Sequence, residues 1–340
     1  LTQNSPRGGE INCFCVQHKK SDKILSDSSK IVIVLIHLRL HRDGIMKWRD
    51  VADEYACRPE LRKNDVQEIL KWITTQPHLP TITEFEAILF LHSCYYDLEH
   101  AKRTIDIYYT TRTNCPEFFG NRDTSGKDVT DMMDVQIHTP LPGYTPEGYK
   151  MIFFSYLDLD PAKFDYTATT KLFSLVSDLQ QWTEGTANGL IIILDTKGVT
   201  MGHLIRVKIM GFKRYISYLQ DALPVRIKGL YFINSNSIVD KLLTMIKPFM
   251  NKHLMSMLKV FTNMEDVYKV IPKDMLPKEL GGSTMTIEEL HKEMRDKLAE
   301  NRDFFLEFQH ERLVDETKRP GKAKNGSDVI QSSFQQLEFD

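Results

Sequence analysis

The chain has 340 residues, 41% of them hydrophobic and 26% charged, which is ordinary for a soluble globular protein and fits one large domain plus a smaller one, or two domains with tails. A formal net charge of −2 gives no global reason to expect nucleic acid. The five cysteines (Cys13, Cys15, Cys57, Cys94, Cys115) form no C-x-x-C pair and no ligand cluster, which argues against a disulfide framework or zinc site and suits reduced, intracellular thiols.

Residues 1–45 mix "SPRGGE", "KKSDK" and "SDSSK" around one apolar run, Ile31–Leu38. That run is far shorter than the ~20 residues of a membrane span, and no small-residue cleavage site follows it. The segment reads as a poorly defined extension, with Met46 in "GIMKWRDVADEY" as a natural start. His37 and His41 are four apart but fall in this extension, and no metal is expected there.

Helical periodicity begins in "NDVQEILKWI", where Val66, Ile69, Leu70 and Ile73 share a face and Asn64 or Asp65 would cap the start. "PHLP" ends this helix. "TEFEAILFLHSCYY" predicts a second, with Phe85, Ile88, Leu89 and His92 on one side. "DLEHAKRTIDIYYTTRT" predicts a third, with Leu98, Ala101, Ile105 and Tyr108 or Tyr109 inward. Residues 46–125 thus form a small helical domain.

Residues 121–148, polar and with Pro140, Pro142 and Pro146, read as a linker or crossover. Strand and helix then alternate. "YKMIFFSYLDLD" is a strand and "YTATTKLFSLVSDLQQWTEG" a helix. "NGLIIILDTKG" is a strand apolar enough to be covered on both faces. "GHLIRVKIMGFKRYISYLQDAL" is a helix and "VRIKGLYFIN" a buried strand. "SIVDKLLTMIKPFMNKHLMSML" is a helix that Pro248 should kink or split, and "KVFTN" is a short strand. The alternation predicts an α/β domain with a mainly parallel sheet over 140–284. Residues 285–316 read as one charged amphipathic helix and 317–340 as a flexible tail.

Motifs for chemistry are missing. No G-x-G-x-x-G follows a strand, and there is no G-x-x-x-x-G-K-[ST], G-x-S-x-G or H-E-x-x-H. Asp158, Asp160 and Asp195 end strands, where carboxylates commonly cap loops and following helices. No catalytic residue, metal or cofactor is expected, and the chain is not read as an enzyme.

Two features are positive. In the Pro248 helix, Ile238, Leu242, Met245 and Phe249 recur at helical spacing, with Lys241, Lys247, Asn251 and Lys252 elsewhere on the surface. Met245, Met250, Met255 and Met257 crowd the same stretch, and methionine suits irregular or variable apolar contacts. The periodicity alone favours an ordinary core helix. Charge is the second feature. Residues 199–264 carry ten basic groups against Asp221 and Asp240, a local net of +8 in a chain of net −2. That asymmetry suits an anionic surface, where each nearby Lys or Arg contributes about 1 kcal/mol, or else ion pairing with the acidic C-terminal helix.

The ordered set "YYTTRTNCPEFF", "NGLIIILDTKG", "ALPVRIKGLYFIN", "MIKPFM" and "DMLPKELGG" resembles the CRAL-TRIO lipid-binding family, in particular its α-tocopherol transfer protein and retinaldehyde-binding protein branch, over about residues 50–310. In that family the last motif closes the lipid-binding domain. Pro277 would fix its approach, and the paired Gly281 and Gly282 would allow a tight turn at positive φ.

The resemblance implies a helical N-terminal domain on an α/β domain, with one small hydrophobic lipid between the sheet and a mobile gate helix at Ser235–Met257. The sheet and its flanks would line the lipid with Phe173, Val176, Leu190, Ile192 and Leu194, then Val207, Tyr215, Leu219, Leu223, Val225 and Ile227. The gate would add Ile238, Leu242, Met245 and Phe249. Tyr215, Tyr218 or Ser174 would meet a polar end. Arg226 and Lys228 of "PVRIKG", with Lys247 and Lys252, would face anionic or phosphoinositide membranes. Relatives tend to carry more basic residues where this chain has His253 and Met257, and arginines where it has Leu89, His92 and Cys94. The implied protein is a cytoplasmic, peripherally membrane-associated monomer that transfers a tocopherol, retinoid, carotenoid or similar lipid. A phosphatidylinositol or phospholipid exchange protein, or a CRAL-TRIO adaptor for protein partners, are the alternatives.

Overall fold

The structure, a computed structural model, describes residues 48–321. The expected extension at 1–45, with its two histidines, and the tail beyond residue 321 lie outside the described residues.

The helical region comprises α1 (Val51–Cys57), α2 (Lys63–Ile73), α3 (Glu84–Ser93), α4 (Leu98–Asn114) and the single turn α5 (Pro116–Phe119). Thr83 and Glu86 form a reciprocal capping box on α3, and Asp97 caps α4 through the His100 amide, each satisfying amides that a helix start leaves open. The start of α2 differs from expectation. The residue before it is Arg62, without a side-chain cap, so Asn64 and Asp65 lie inside the first turn. Asp65 pairs with Arg62 at 2.8 Å instead. Helix α3 is buried nearly all round, Phe85 to His92, because α2 and α4 both pack on it.

The stretch 121–148 is not a linker. It holds α6 (Lys127–Val135) and β1 (Gln136–Pro140). Val129, Met132 and Met133 give α6 a buried face in an otherwise polar segment. β1 is a short edge strand made by its partner, pairing antiparallel with β2 (Tyr149–Tyr156) from Gln136↔Tyr156 to Pro140↔Ile152.

β3 (Gly189–Asp195), β4 (Ile227–Ile233) and β5 (Leu258–Val260) complete a sheet in the order β1-β2-β3-β4-β5, parallel from β2 onward. The continuous apolar run of β3 is explained by its two covered faces. Ile191 and Ile193 join Met151, Phe153, Val267, Leu276, Leu280 and Leu290 on the outer face. Leu190 and Ile192 join the inner cluster. A register shift between Leu190 and Ile191 lets Ile227, Leu230 and Phe232 of β4 all face inward.

α7 (Tyr166–Glu184) follows β2 as expected. The stretch after β3, read as one helix, is two: the single turn α8 (Met201–Leu204) and α9 (Ile209–Asp221). After β4 come α10 (Ser237–Ile246), a 3-10 turn at Lys247–Phe249, and α11 (Lys252–Met257), so Pro248 does split this segment. Beyond the turn α12 (Met264–Val267), the expected single C-terminal helix is also two, α13 (Ile287–Glu300) and α14 (Arg302–Glu311), broken at the buried Asn301. Within residues 317–321, expected to open a flexible tail, the Arg319 side chain is anchored while its neighbours are exposed. Its guanidinium donates to Asp106 at 2.8 Å, Glu316 at 2.7 Å and Thr110 at 2.7 Å.

Of the paired glycines only Gly281 takes positive φ, at +79°. Gly282 is required for a different reason: a Cβ there would stand 1.9 Å from the Leu276 carbonyl oxygen.

Candidate functional site

The inner sheet face, α7, α9 and the 237–257 segment close on one apolar cluster that continues into the N-terminal helices. The wall residues named above fall on it as follows. Phe173, Leu190, Ile192, Tyr215, Leu223 and Ile227 are buried within it, and Leu194, Val207, Leu219 and Val225 are half-buried against it. Val176 is not on it. The opposite face of α7 carries Val176 into a separate cluster with Val129, Leu172, Leu298 and Phe305.

On the gate segment the buried residues are Val239, Leu243, Ile246, Met250 and Leu254, one position on from those chosen by periodicity. Leu242, Met245 and Phe249 are half-buried at the rim, and Ile238 is outside the cluster. The sequence is apolar at both sets of positions, so spacing alone does not fix the rotation of the helix. Asn236 does, by capping α10 through the Ile238 amide at 2.9 Å, which places Ile238 in the first turn, away from the core. The break at Pro248 is braced from α9: Gln220 donates to the Phe249 carbonyl at 3.3 Å and accepts from the Asn251 amide at 2.6 Å.

Buried polar groups stand behind the wall. Arg112 makes a bidentate pair with Asp178 at 3.2 and 2.7 Å, and Arg122 reaches the same carboxylate at 2.7 Å. All three are buried. The Arg112 guanidinium also lies over the rings of Tyr108 and Phe119, at 4.9 and 4.8 Å. Tyr218 Oη accepts from Arg112 at 3.1 Å, and Ser174 Oγ donates to the Lys171 carbonyl at 2.8 Å. Tyr215 Oη is buried without a partner. Burial pushes the His138 imidazole down to about 3, assisted by His291, and the Tyr215 phenol well up, so both stay neutral near pH 7.

The strand-end carboxylates act as caps. Asp160 accepts from the Ala162 amide at 2.9 Å, and Asp195 from Lys197 and Asn234 at 3.0 and 2.9 Å.

Two surface features flank this closed face. Arg226 Nε donates to the His92 carbonyl at 2.8 Å, and its guanidinium stacks 4.1 Å from the Tyr95 ring centroid. Lys228 Nζ donates to Tyr95 Oη at 2.9 Å. Tyr95 and Tyr96 both take left-handed backbone, φ 53° and 65°, a conformation that costs a non-glycine residue of order 1 kcal/mol or more. Burial, then Arg226 and Arg58, push the His92 imidazole down to about 3. Lys247 and Lys252 are exposed on the gate segment. The second feature is apolar. Met201, Ile205 and Met210 are exposed at 43%, 75% and 63%, on and after α8, which packs against α10. Arg206 and Lys208 are interleaved with them. Sequence reading missed Tyr95, Gln220 and this apolar turn. The last had a signal, alternating apolar and basic residues in "IRVKIM".

A family model described as the CRAL/TRIO domain matches residues 135–282, and one described as a Pinta-like UBA domain matches residues 58–129. The chain is 27% identical over 248 residues to the Homo sapiens protein named "Alpha-tocopherol transfer protein-like", covering 72% of this chain and 71% of that one. It is 21% identical over 230 residues to Homo sapiens "Clavesin-2", covering 66% and 70%. A solved structure titled "Crystal structure of Sfh5" is 13% identical, covers 82% of this chain and 99% of its own, and superposes with a TM-score of 0.46.

Proposed function

This chain belongs to the CRAL-TRIO family of lipid-transfer proteins, and from that premise we propose that it carries one small lipophile between its inner sheet face and the 237–257 segment, and releases it at an anionic membrane. The observation that carries this reading is the closure of an unbroken apolar sheet face by a segment that is itself broken, at Pro248. A tail of about 400 Å² buried at roughly 25 cal/mol per Å² gains on the order of 10 kcal/mol gross, so an ungated lipid would leave slowly. A broken apolar segment has two favourable places to lie, over the cargo or in a bilayer, and membrane contact shifts the balance toward the second.

The surface supports the same reading. Met201, Ile205 and Met210 beside α10 offer apolar side chains to a bilayer, and Arg206, Lys208, Lys247 and Lys252 supply the matching charge. Arg226 and Lys228 on the Tyr95 platform suit a lipid phosphate, including that of a phosphoinositide. No helix among the described residues is long and apolar enough to cross a membrane, and the contact proposed is peripheral. The relative named for α-tocopherol favours an isoprenoid cargo of that kind, with retinoids and carotenoids as the nearest chemical neighbours.

Native mass spectrometry of freshly purified protein, followed by extraction and identification of bound lipid, tests the proposal. One stoichiometric lipophile without a phosphate is expected. A stoichiometric phospholipid would point to an exchange protein instead. A protein that stays empty after incubation with liposomes and isoprenoids would favour an adaptor for protein partners.

A further inference from the structure

After α14 the chain runs back over the helical region, and residues 312–319 lie across the α2–α3 loop and α4. Four ties hold them there. Arg312 donates to the Thr81 carbonyl and pairs with Glu86 at 3.2 Å. The Val314 amide donates to Thr113 Oγ1 at 2.9 Å, and its side chain is buried in the apolar cluster that also closes the inner sheet face. The Asp315 amide donates to the His78 carbonyl at 2.9 Å. Arg319, besides its bonds to Asp106, Glu316 and Thr110, meets His78 Nε2 at 2.9 Å.

That last contact fixes the state of the ring. A guanidinium has only donors, so His78 Nε2 accepts, and the proton of the neutral imidazole sits on Nδ1. The ring is 4% exposed, and Nδ1 is buried without a partner. Asp106 Oδ1 lies 3.4 Å from Nε2, but the same oxygen already takes Arg319 at 2.8 Å and the Thr110 hydroxyl at 3.1 Å. A second proton on the ring would set N–H against N–H and cation against cation, and would leave a charged ring with its Nδ1–H unpaired. The charged groups that face the ring are Asp106 from α4 and Arg319 and Glu316 from the segment itself. Burial, then Arg319, pull the imidazole below its ordinary 6.5, against lesser upward pulls from Asp106 and Glu316.

We propose that residues 312–319 are a proton-released strap, docked on the α2–α3 loop and α4 while His78 is neutral and let go when its ring is protonated. Docking is complete above pH 6.5 and weakens as the pH falls through the lower value the ring has when the strap is down. Release is a local opening. It takes Val314 out of the cluster and uncovers Glu86 and Asp106. The proposal does not depend on the carrier reading.

Hydrogen exchange of the full chain from pH 7.5 to 5.5, corrected for the intrinsic pH dependence of exchange, tests it. In wild type the protection of the Val314 and Asp315 amides should fall several-fold with acid, and by no more than about ten-fold per pH unit, the limit for one proton. The β3 amides should keep theirs over the same range. His78→Phe should make strap protection independent of pH. Strap protection that is flat or rising with acid in wild type, or an equal decline in His78→Phe, overturns the proposal. If His78→Phe is unprotected at every pH, the NMR titration of the His78 ring decides. A wild-type value below 6.5 that rises in Arg319→Gln supports the strap, and a value unmoved by Arg319→Gln overturns it.

Discussion

Gln220 and Asn251 are joined by a short hydrogen bond, the Asn251 amide donating to Gln220 Oε1 at 2.6 Å, while Gln220 Nε2 donates to the Phe249 carbonyl at 3.3 Å. One side chain on α9 thus holds the backbone on both sides of the Pro248 break. Gln220→Ala should loosen the 237–257 segment. Losing about 1 kcal/mol of hydrogen bonding corresponds to roughly five-fold faster lipid release to acceptor vesicles, with the thermal midpoint nearly unchanged because the site is half-exposed. Unchanged release kinetics would show that the segment does not move as a lid.

The exposed turn after α8 gives a second outcome. Ile205 is 75% exposed beside Arg206, and inserting such a side chain into a bilayer is worth about 1.5–3 kcal/mol. Ile205→Glu should weaken co-sedimentation with anionic vesicles by about ten-fold or more. Lys247→Glu with Lys252→Glu should mainly reduce the salt dependence of binding. Equal binding by Ile205→Glu would locate the membrane contact elsewhere.

The buried Asp178 is a carboxylate between two guanidiniums. Replacing it by Ala leaves Arg112 and Arg122 facing each other without their shared anion. Loss of about 3–5 kcal/mol is expected, the usual cost of removing one partner of a buried ion pair. Urea unfolding checks it. A loss under about 1 kcal/mol would mean that the two arginines are stabilised by their ring contacts instead.

Acid should destabilise the fold through two imidazoles. His92 and His138 are both held down to about 3 by burial, from an ordinary value of 6.5. Between these values the unfolded chain binds the protons and the folded one does not. The stabilisation from each is therefore complete above pH 6.5 and is lost as pH falls toward 3. The slope is about 1.4 kcal/mol per pH unit for each group. Unfolding free energies measured from pH 6 to pH 4 should show this decline, and His138→Phe should make it shallower. A His138→Phe profile parallel to wild type would mean that His138 takes up its proton without unfolding.

Particular residues show what the sequence could and could not convey. The α/β order was legible because β3 is apolar on both faces and turn residues punctuate each unit. The break at Pro248 was legible because proline removes a donor and blocks the preceding turn. β1 was not, because "QIHTP" has no strand periodicity of its own and exists by pairing with β2. The break at Asn301 was hidden because asparagine inside a charged amphipathic run carries only a weak penalty. The wall residues were largely identifiable as apolar positions of strands and helices. The one-residue rotation of α10 and the outward placement of Val176 depend on which neighbour each helix packs against, and no single periodic pattern contains that.

The docked segment at 312–319 has a consequence for how the molecule comes into being. Arg319 meets Asp106 across 213 residues of chain, and Val314 meets Thr113 across 201. The groups that complete the outer surface of helix α4 are synthesised 201 to 213 residues after the residues they meet. At ribosomal rates of about 5–20 residues per second, Asp106 waits some ten to forty seconds for its arginine. During that interval helix α4 depends on chaperones or on its own incomplete core. Contacts so distant along the chain also place final closure among the slow steps of folding.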